Sequence, residues 1–321
     1  MSLEMILSNL TNPTLLFFLF GIVAASLKSD LEIPQQSVKF ISIYLLFSIG
    51  FKGGQELQHA EQGAAILKSI LFGISIAAII PLYCFYILRK RLGVSNAGAI
   101  AAAYGSVSAI TFITGVSYLE LHAEPFNSHM IAVMAMMELP AIIVAFVLMN
   151  LYEKGDSSSQ SLGSIVRHSL TNGSVLMLLG SLIIGLIADN KQAEGIKPFT
   201  TDIFKGFLAI FLLEVGMVTA KRFSAFRAYG LYAFSFGILA PLFNGCAVAY
   251  FSKFIVDQPG DRFIFAILAA SASYIAVPAA MRLAAPKADP GLYIPMAIGV
   301  TFPFNITVGM PIYHSIVNYF G

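Results

Sequence analysis

Two short stretches of the sequence combine small residues with side-chain hydroxyls. Residues 105–108 read Gly-Ser-Val-Ser, and residues 271–273 read Ser-Ala-Ser. Each stretch lies near the middle of a long apolar segment, where an unwound backbone is tolerated only if it lines a cavity. A helix broken there exposes N–H groups that suit an anion, while its freed carbonyls and hydroxyls suit a small cation. The predicted substrate-binding residues are Gly105, Ser106, Ser108, Ser271 and Ser273.

A simpler explanation is that glycine and serine only allow close helix packing, as small residues often do in membranes. The two stretches lie at equivalent positions in the two halves of the chain. This equivalence favours the binding role over simple packing.

Two carboxylates lie well inside apolar segments, Glu138 and Glu214, whereas every Asp lies in a loop or at a segment end. A charged group inside a membrane is costly to bury, so it indicates a function by default. Glu138 could ligate a cation, carry a proton, or pair with a lysine such as Lys52 or Lys205. We expect it to bind a cation, and we expect Glu214 to carry a proton or to form an ion pair.

Two further polar residues complete the predicted cation site. Thr111 follows the first hydroxyl-rich stretch, and Asn305 lies in the last apolar segment in the region equivalent to Glu138. The Asn305 amide could complete a cavity lining or could bond to a neighbouring helix. The histidines and cysteines lack metal-ligand spacing, so we predict no metal other than sodium and no other cofactor.

The composition places these residues in a membrane. The 321 residues are 57% hydrophobic and 11% charged, with a mean hydropathy of +0.80. A soluble domain usually carries about 25% charged residues, so a soluble enzyme and a disordered chain are both excluded. The net charge of +2 is too small to indicate a nucleic-acid partner. No mid-membrane Asp pair, Ser–His pair or zinc motif indicates an intramembrane protease, so we predict that the protein is not an enzyme.

Ten apolar segments meet the requirement of about 20 residues for a helix that crosses a bilayer. They are 12–29, 34–51, 62–88, 94–117, 126–152, 172–188, 203–220, 226–252, 261–283 and 291–319. We therefore predict an all-α integral membrane protein whose fourth and ninth helices are discontinuous. Of the 19 Lys and Arg residues, twelve lie on the side of the central linker and seven on the other. This asymmetry predicts a cytoplasmic linker and both termini outside.

The two halves of the chain resemble each other. Residues 75–83 (SIAAIIPLY) match residues 235–243 (SFGILAPLF) at an offset of 160, and four further pairs follow in the same order. Because each half holds five spans, the second half must enter the membrane upside down, which is typical of secondary transporters. We predict a 5+5 inverted repeat with a first repeat at 12–152, a cytoplasmic linker at 153–170 and a second repeat at 171–321.

Over essentially its whole length the chain resembles the sodium-dependent bicarbonate permease family, which comprises cyanobacterial-type sodium/bicarbonate symporters and their bacterial homologues. The most specific stretches are 105–109, 137–141 and 271–286. The resemblance implies a trimer in the bacterial inner membrane, in which a core domain moves like an elevator against a gate domain. It assigns 12–56 and 172–222 to the gate domain, and 62–152 and 226–319 to the core domain.

The resemblance also implies that bicarbonate and sodium bind between the two broken helices. Ser106, Ser108, Ser271 and Ser273 match the hydroxyl-rich breaks of the family, and Glu138 matches an acidic position associated with sodium. The implied partners are bicarbonate, sodium as coupling ion, the lipid bilayer, further copies of the chain and a PII-like cytoplasmic regulator.

The chain departs from the cyanobacterial pattern within the breaks. Tyr274 stands where that pattern has Asp, and Ala276 and Ile110 each stand where it has Ser. The coupling ion, sodium or proton, therefore stays open, as do the identity of the anion and the binding of a regulator.

We expect a secondary active transporter that carries bicarbonate or a similar small anion together with sodium, by an elevator-like alternating-access mechanism. One alternative is a cation/proton antiporter of a related inverted-repeat fold that uses Glu138 and Glu214. Another is a non-transporting membrane receptor. An antiporter would move protons without an anion, and a receptor would bind its ligand without flux.

Overall fold

The computed structural model describes residues 13–58, 63–152, 173–226, 230–274 and 276–320, together with 163, 166, 167 and 171. Every regular element in these ranges is a helix, and none of the described residues forms a strand. The principal helices are α1 (Pro13–Ser26), α2 (Gln35–Leu57), α3 (Gly63–Leu92), α4 (Val94–Gly105), α5 (Ala109–Leu121), α6 (His129–Tyr152), α7 (Gly173–Ile187), α8 (Phe204–Phe226), α9 (Gly230–Phe251), α10 (Pro259–Ala270), α11 (Ala276–Ala284) and α12 (Pro290–Tyr319).

Six helical stretches among the described residues are long and apolar enough to cross a membrane. They are Gly63–Leu92, Val94–Leu121, His129–Tyr152, Pro198–Lys221, Gly230–Phe254 and Pro290–Tyr319. Shorter apolar helices cover Leu16–Ser26 and Leu176–Ile187. The prediction of an all-helical, multi-pass membrane protein is confirmed, while the number of ten spans stays a prediction. Most of the predicted linker at 153–170 lies outside the described residues.

The outer helix faces carry large apolar side chains that water would not favour. On α3, for example, Leu67, Leu71 and Ile79 are each more than half exposed. An apolar outer surface of this kind matches lipid acyl chains, because a soluble monomer rarely exposes a contiguous apolar face.

The helices pack into two groups. The first group consists of α1 against α8 and α2 against α7, and the second consists of α3 to α6 with α9 to α12. Glycines let the backbones of the first group touch: a Cβ at Gly21 would overlap the backbone of α8, and one at Gly54 would overlap the backbone of α7. Small residues permit such close approach inside a membrane. Each pair of the first group therefore behaves as a tightly joined unit.

Two helical segments of the second group are interrupted near their middle. Residues 106–108 separate α4 from α5, and the described residues 271–274, which lie between α10 and α11, are not helical. Ser106 and Ser271, which end α4 and α10, both have extended backbone. Ser108 then starts α5 as its N-cap, because its Oγ accepts a hydrogen bond of 3.2 Å from the Thr111 backbone N–H. The interruptions coincide with the two hydroxyl-rich stretches of the sequence.

Helix α12 differs from a regular α-helix in a way that the sequence did not predict. Two segments with wider π-helical turns, Met296–Thr301 and Asn305–Gly309, flank a short α-helical segment that contains Pro303. Proline lacks the N–H that an inner turn requires, and π-turns are common at functional sites. The second of these segments starts at Asn305, one of the predicted site residues.

Candidate functional site

The two breaks bond directly to each other. The Ser108 backbone N–H donates to Ser271 Oγ at 3.0 Å, and the Ser273 backbone N–H donates to the Ala103 carbonyl at 2.8 Å. Ser271 Oγ in turn donates to the Leu268 carbonyl at 2.8 Å. Each break thus provides hydrogen-bond partners for backbone groups that the other break leaves free. Such pairing is required wherever water is absent.

Asn305 completes this bonding from α12. Its Nδ2 donates to the Ala270 carbonyl at the end of α10 at 2.7 Å, and its Oδ1 accepts from the Tyr313 hydroxyl at 3.1 Å. The amide therefore pairs a carbonyl freed by the second break. Of the two roles that the sequence left open, the structure shows the bond to a neighbouring helix.

A small cavity of about 30 Å³, here called the break cavity, lies between the breaks and the first helix group. Its lining residues are Ser42, Leu46, Val107, Ser108, Ala109, Met134, Glu138, Ser174, Leu178, Ser273 and Tyr274. The cavity exceeds the roughly 10–15 Å³ that one water molecule needs. It brings together three of the predicted site residues, Ser108, Ser273 and Glu138.

Glu138 reaches the break cavity from the middle of α6, and none of the described residues forms an ion pair with it. The two lysines that could have paired with it have other partners. Lys52 lies 4.0 Å from Glu56, and Lys205 lies 2.8 Å from Glu120. None of the described lining residues is Lys, Arg or His, so within the described part of the chain a cation or a proton is needed to neutralise this carboxylate.

The other predicted residues lie around the cavity rather than in its lining. Gly105 has no room for a side chain, because a Cβ there would meet Pro81 of α3 and Ala141 of α6. Ser106 Oγ is buried without a hydrogen-bond partner among the described residues. Thr111 is buried in the first turn of α5, and its backbone N–H bonds to the N-cap residue.

Glu214 borders a different space, a cleft of about 610 Å³ that we call the α2-start cleft. The cleft lies between the start of α2, α7 and α8, with Gln35 and Lys39 at its rim. Three residues line both the cleft and the break cavity: Ser42, Ser174 and Tyr274. The break cavity therefore adjoins this cleft.

A third space of about 510 Å³, the α2-end vestibule, lies at the opposite end of α2. No residue of its lining also lines the break cavity. Its charged lining residues are Glu56, Glu120, Glu124 and Asp202 against Lys52 and Lys205. An excess of carboxylates at such a mouth raises the local concentration of cations.

Sequence reasoning did not assign Ser42, Ser174 or Tyr274 to the site. Single hydroxyls are frequent in membrane helices and often bond only to their own backbone, so Ser42 and Ser174 gave no signal. Tyr274 stands out in the sequence only as a departure from a family pattern. The position of these three residues between two spaces follows from helix packing.

Residues 13–318 match the family model of the Na⁺-dependent bicarbonate transporter superfamily. No curated protein matches the chain at a significant level. Because the family match covers nearly the whole chain, the protein belongs to this superfamily.

The bonding between the breaks generates a stability prediction. Ser271→Ala should lower the apparent melting temperature in detergent, because it leaves the buried Ser108 N–H unpaired at a cost of about 1–3 kcal/mol. Ser106→Ala is the matched control and should be nearly neutral, since the Ser106 hydroxyl has no partner to lose. Equal melting temperatures for the two variants would show that the inter-break bond does not stabilise the fold.

Proposed function

We propose that this member of the Na⁺-dependent bicarbonate transporter superfamily is a secondary active transporter. It couples the transport of bicarbonate, or of a similar small oxyanion, to the transport of sodium. The observation that carries the proposal is the break cavity, which both helix interruptions and Glu138 border. Sodium favours oxygen ligands, and the cavity offers the Glu138 carboxylate and the hydroxyls of four serines.

The position of Glu138 supplies a reason for coupling. An anion is attracted by the N-terminus of α5 and by the hydroxyls of Ser108 and Ser273. The same anion is repelled by a Glu138 carboxylate, since two like charges about 4 Å apart interact by roughly 4 kcal/mol at an effective dielectric of 20. A sodium ion on Glu138 removes this repulsion. Anion binding therefore depends on prior or simultaneous cation binding.

The size of the break cavity requires movement. About 30 Å³ accommodates water-sized occupants, and bicarbonate together with sodium needs more space. The lining comes from both helix groups, with Ser42 and Ser174 on one side and Ser108 and Ser273 on the other. Separation of the two groups would open the site without unfolding either of them.

We assign the first helix group to the gate domain, 12–56 and 172–222, and the second to the core domain, 62–152 and 226–319. The 5+5 inverted repeat with ten membrane helices is supported by matching contacts at the starts of α4 and α10. Asn96 Oδ1 accepts from the Asp289 backbone N–H at 2.8 Å, and Asp261 Oδ1 accepts from the Asn127 backbone N–H at 2.6 Å. In each case the first turn of a half-helix bonds to the loop that follows the other broken segment.

The three spaces described above lie in sequence along α2, and this order supports an elevator-like movement of the core against the gate. The α2-start cleft, the break cavity and the α2-end vestibule follow one another from residue 35 to residue 56. The basic residues of the sequence predict that the end of α2 near Lys39 faces the cytoplasm. With this orientation we propose an inward-facing state in the inner membrane, with both termini outside. On the family resemblance alone, we also propose that the protein forms a trimer and binds a PII-like cytoplasmic regulator.

Uptake of labelled bicarbonate into proteoliposomes tests the proposed function. An inward sodium gradient should drive uptake above the level reached with potassium, because the cation must neutralise Glu138 first. Proton movement driven by sodium, without uptake of the anion, would contradict symport and favour a cation/proton antiporter. Saturable binding without uptake would instead favour a receptor.

Replacing Glu138 tests the coupling mechanism. Glu138→Gln should raise the sodium concentration for half-maximal uptake by about tenfold or more, which corresponds to about 1.4 kcal/mol of cation binding. The matched control is Glu214→Gln, which changes a carboxylate in the α2-start cleft outside the break cavity. An unchanged sodium dependence in a well-folded Glu138→Gln protein would remove the carboxylate from the cation site.

The ion pair between Glu120 of α5 and Lys205 of α8 crosses the proposed boundary between core and gate. Cysteines at both positions, in a Cys84→Ala/Cys246→Ala background, should arrest uptake when they are cross-linked and restore it on reduction. Cysteines at Asn96 and Asp289 provide the control, since both positions lie in the core. Full uptake in the cross-linked Glu120/Lys205 pair would exclude movement at this boundary.

A further inference from the structure

Tyr274 occupies an unusual position at the end of the second break. Its side chain lines both the break cavity and the α2-start cleft. Its hydroxyl is buried beside Ser108 of the first break, close enough for a weak interaction, and it meets good hydrogen-bond geometry with none of the described residues. A buried hydroxyl without a partner costs about 1–3 kcal/mol, so this group is placed where a ligand could satisfy it.

Tyr274 also lies at the junction of the two spaces. Among the described residues, the others that line both are Ser42 and Ser174, from the first helix group. The phenol ring is the largest of these three side chains, so it is the best candidate for a barrier between a cleft of about 610 Å³ and a cavity of about 30 Å³.

Tyr274 lies on non-helical backbone next to an anchored residue. Residues 271–274 are not helical, and the Ser273 N–H makes its inter-break bond directly before Tyr274. The break is therefore anchored one residue before the tyrosine. A rotation of the side chain is compatible with intact bonding between α4 and α10.

We propose that Tyr274 is the gate between the α2-start cleft and the break cavity, and that its hydroxyl donates a hydrogen bond to an oxygen of the bound anion. This inference rests on the proposed function and adds a gating, anion-contacting residue to it. The phenol provides a hydrogen-bond donor for an oxygen of an anion such as bicarbonate without adding a charge next to Glu138.

The gate is tested by cysteine accessibility, which does not require transport. Ala109 lines the break cavity, so Ala109→Cys in the Cys84→Ala/Cys246→Ala background places a thiol there. With Tyr274 present, a methanethiosulfonate reagent should label this thiol slowly. Tyr274→Ala should accelerate labelling at least tenfold, whereas Tyr274→Phe should leave the rate unchanged because the ring remains. Equal labelling rates with and without the ring would overturn the gate.

The hydrogen bond is tested by uptake of labelled bicarbonate in an otherwise unchanged chain. Tyr274→Phe should raise the KM for bicarbonate about tenfold while the sodium dependence stays the same. Tyr250→Phe is the matched control, since Tyr250 lines none of the three spaces, and its KM should equal that of the wild type. An unchanged KM in Tyr274→Phe would overturn the donor role.

The two experiments separate this inference from the proposed function. If the wild-type protein took up no bicarbonate, the proposed function and the donor role would both fail. Faster labelling of Ala109→Cys in the Tyr274→Ala protein would still support the gate. Slow labelling in that protein, together with sodium-driven uptake by the wild type, would overturn the gate and leave the transporter intact.

Discussion

Backbone N–H and C=O groups inside a bilayer have no water to bond, and each unpaired group costs several kcal/mol. Two helical segments of this protein are interrupted within the apolar region. The rest of the structure therefore depends on which groups form hydrogen bonds with the backbone N–H and C=O groups that these interruptions expose. The N–H groups of Ser108 and Ser273 find them on the opposite break, and the carbonyl of Ala270 finds one on Asn305. Neither break could persist without the other, which explains why the half-helices meet at one point.

The electrostatics of the site follow from the same arrangement. In the proposed mechanism, hydroxyls and helix N-termini attract an anion to the break cavity, whereas Glu138 repels it. The two lysines that the sequence suggested as its partners lie next to Glu56 and Glu120, and none of the described residues that line the cavity is basic. A mobile cation is then the simplest source of neutrality. The proposed coupling between cation and anion rests on this shortage of fixed positive charge.

Tight and loose contacts divide the molecule. Within the first helix group, glycines such as Gly21 and Gly216 allow backbone contact, and such packing is costly to disturb. Between the groups, the ion pair of Glu120 and Lys205 has side chains that are 42% and 66% exposed. Exposed ion pairs contribute about 0–1 kcal/mol, so this contact is easily broken. The difference favours motion between the groups over deformation within them.

The sequence by itself determined the membrane setting, the helical class and the positions of the two breaks, and it singled out Glu138 as a candidate. These follow from composition and local residue type: apolar runs demand helices, and glycine, serine and a buried carboxylate stand out against them. Only the tertiary structure decided which hydroxyls face a common space. Ser108 and Ser273 line the break cavity, while Ser271 and Asn305 pair backbone groups, although all four have similar sequence signals. The same packing gave Tyr274 its place between cavity and cleft, because the direction of a side chain on non-helical backbone depends on contacts between residues far apart in the chain.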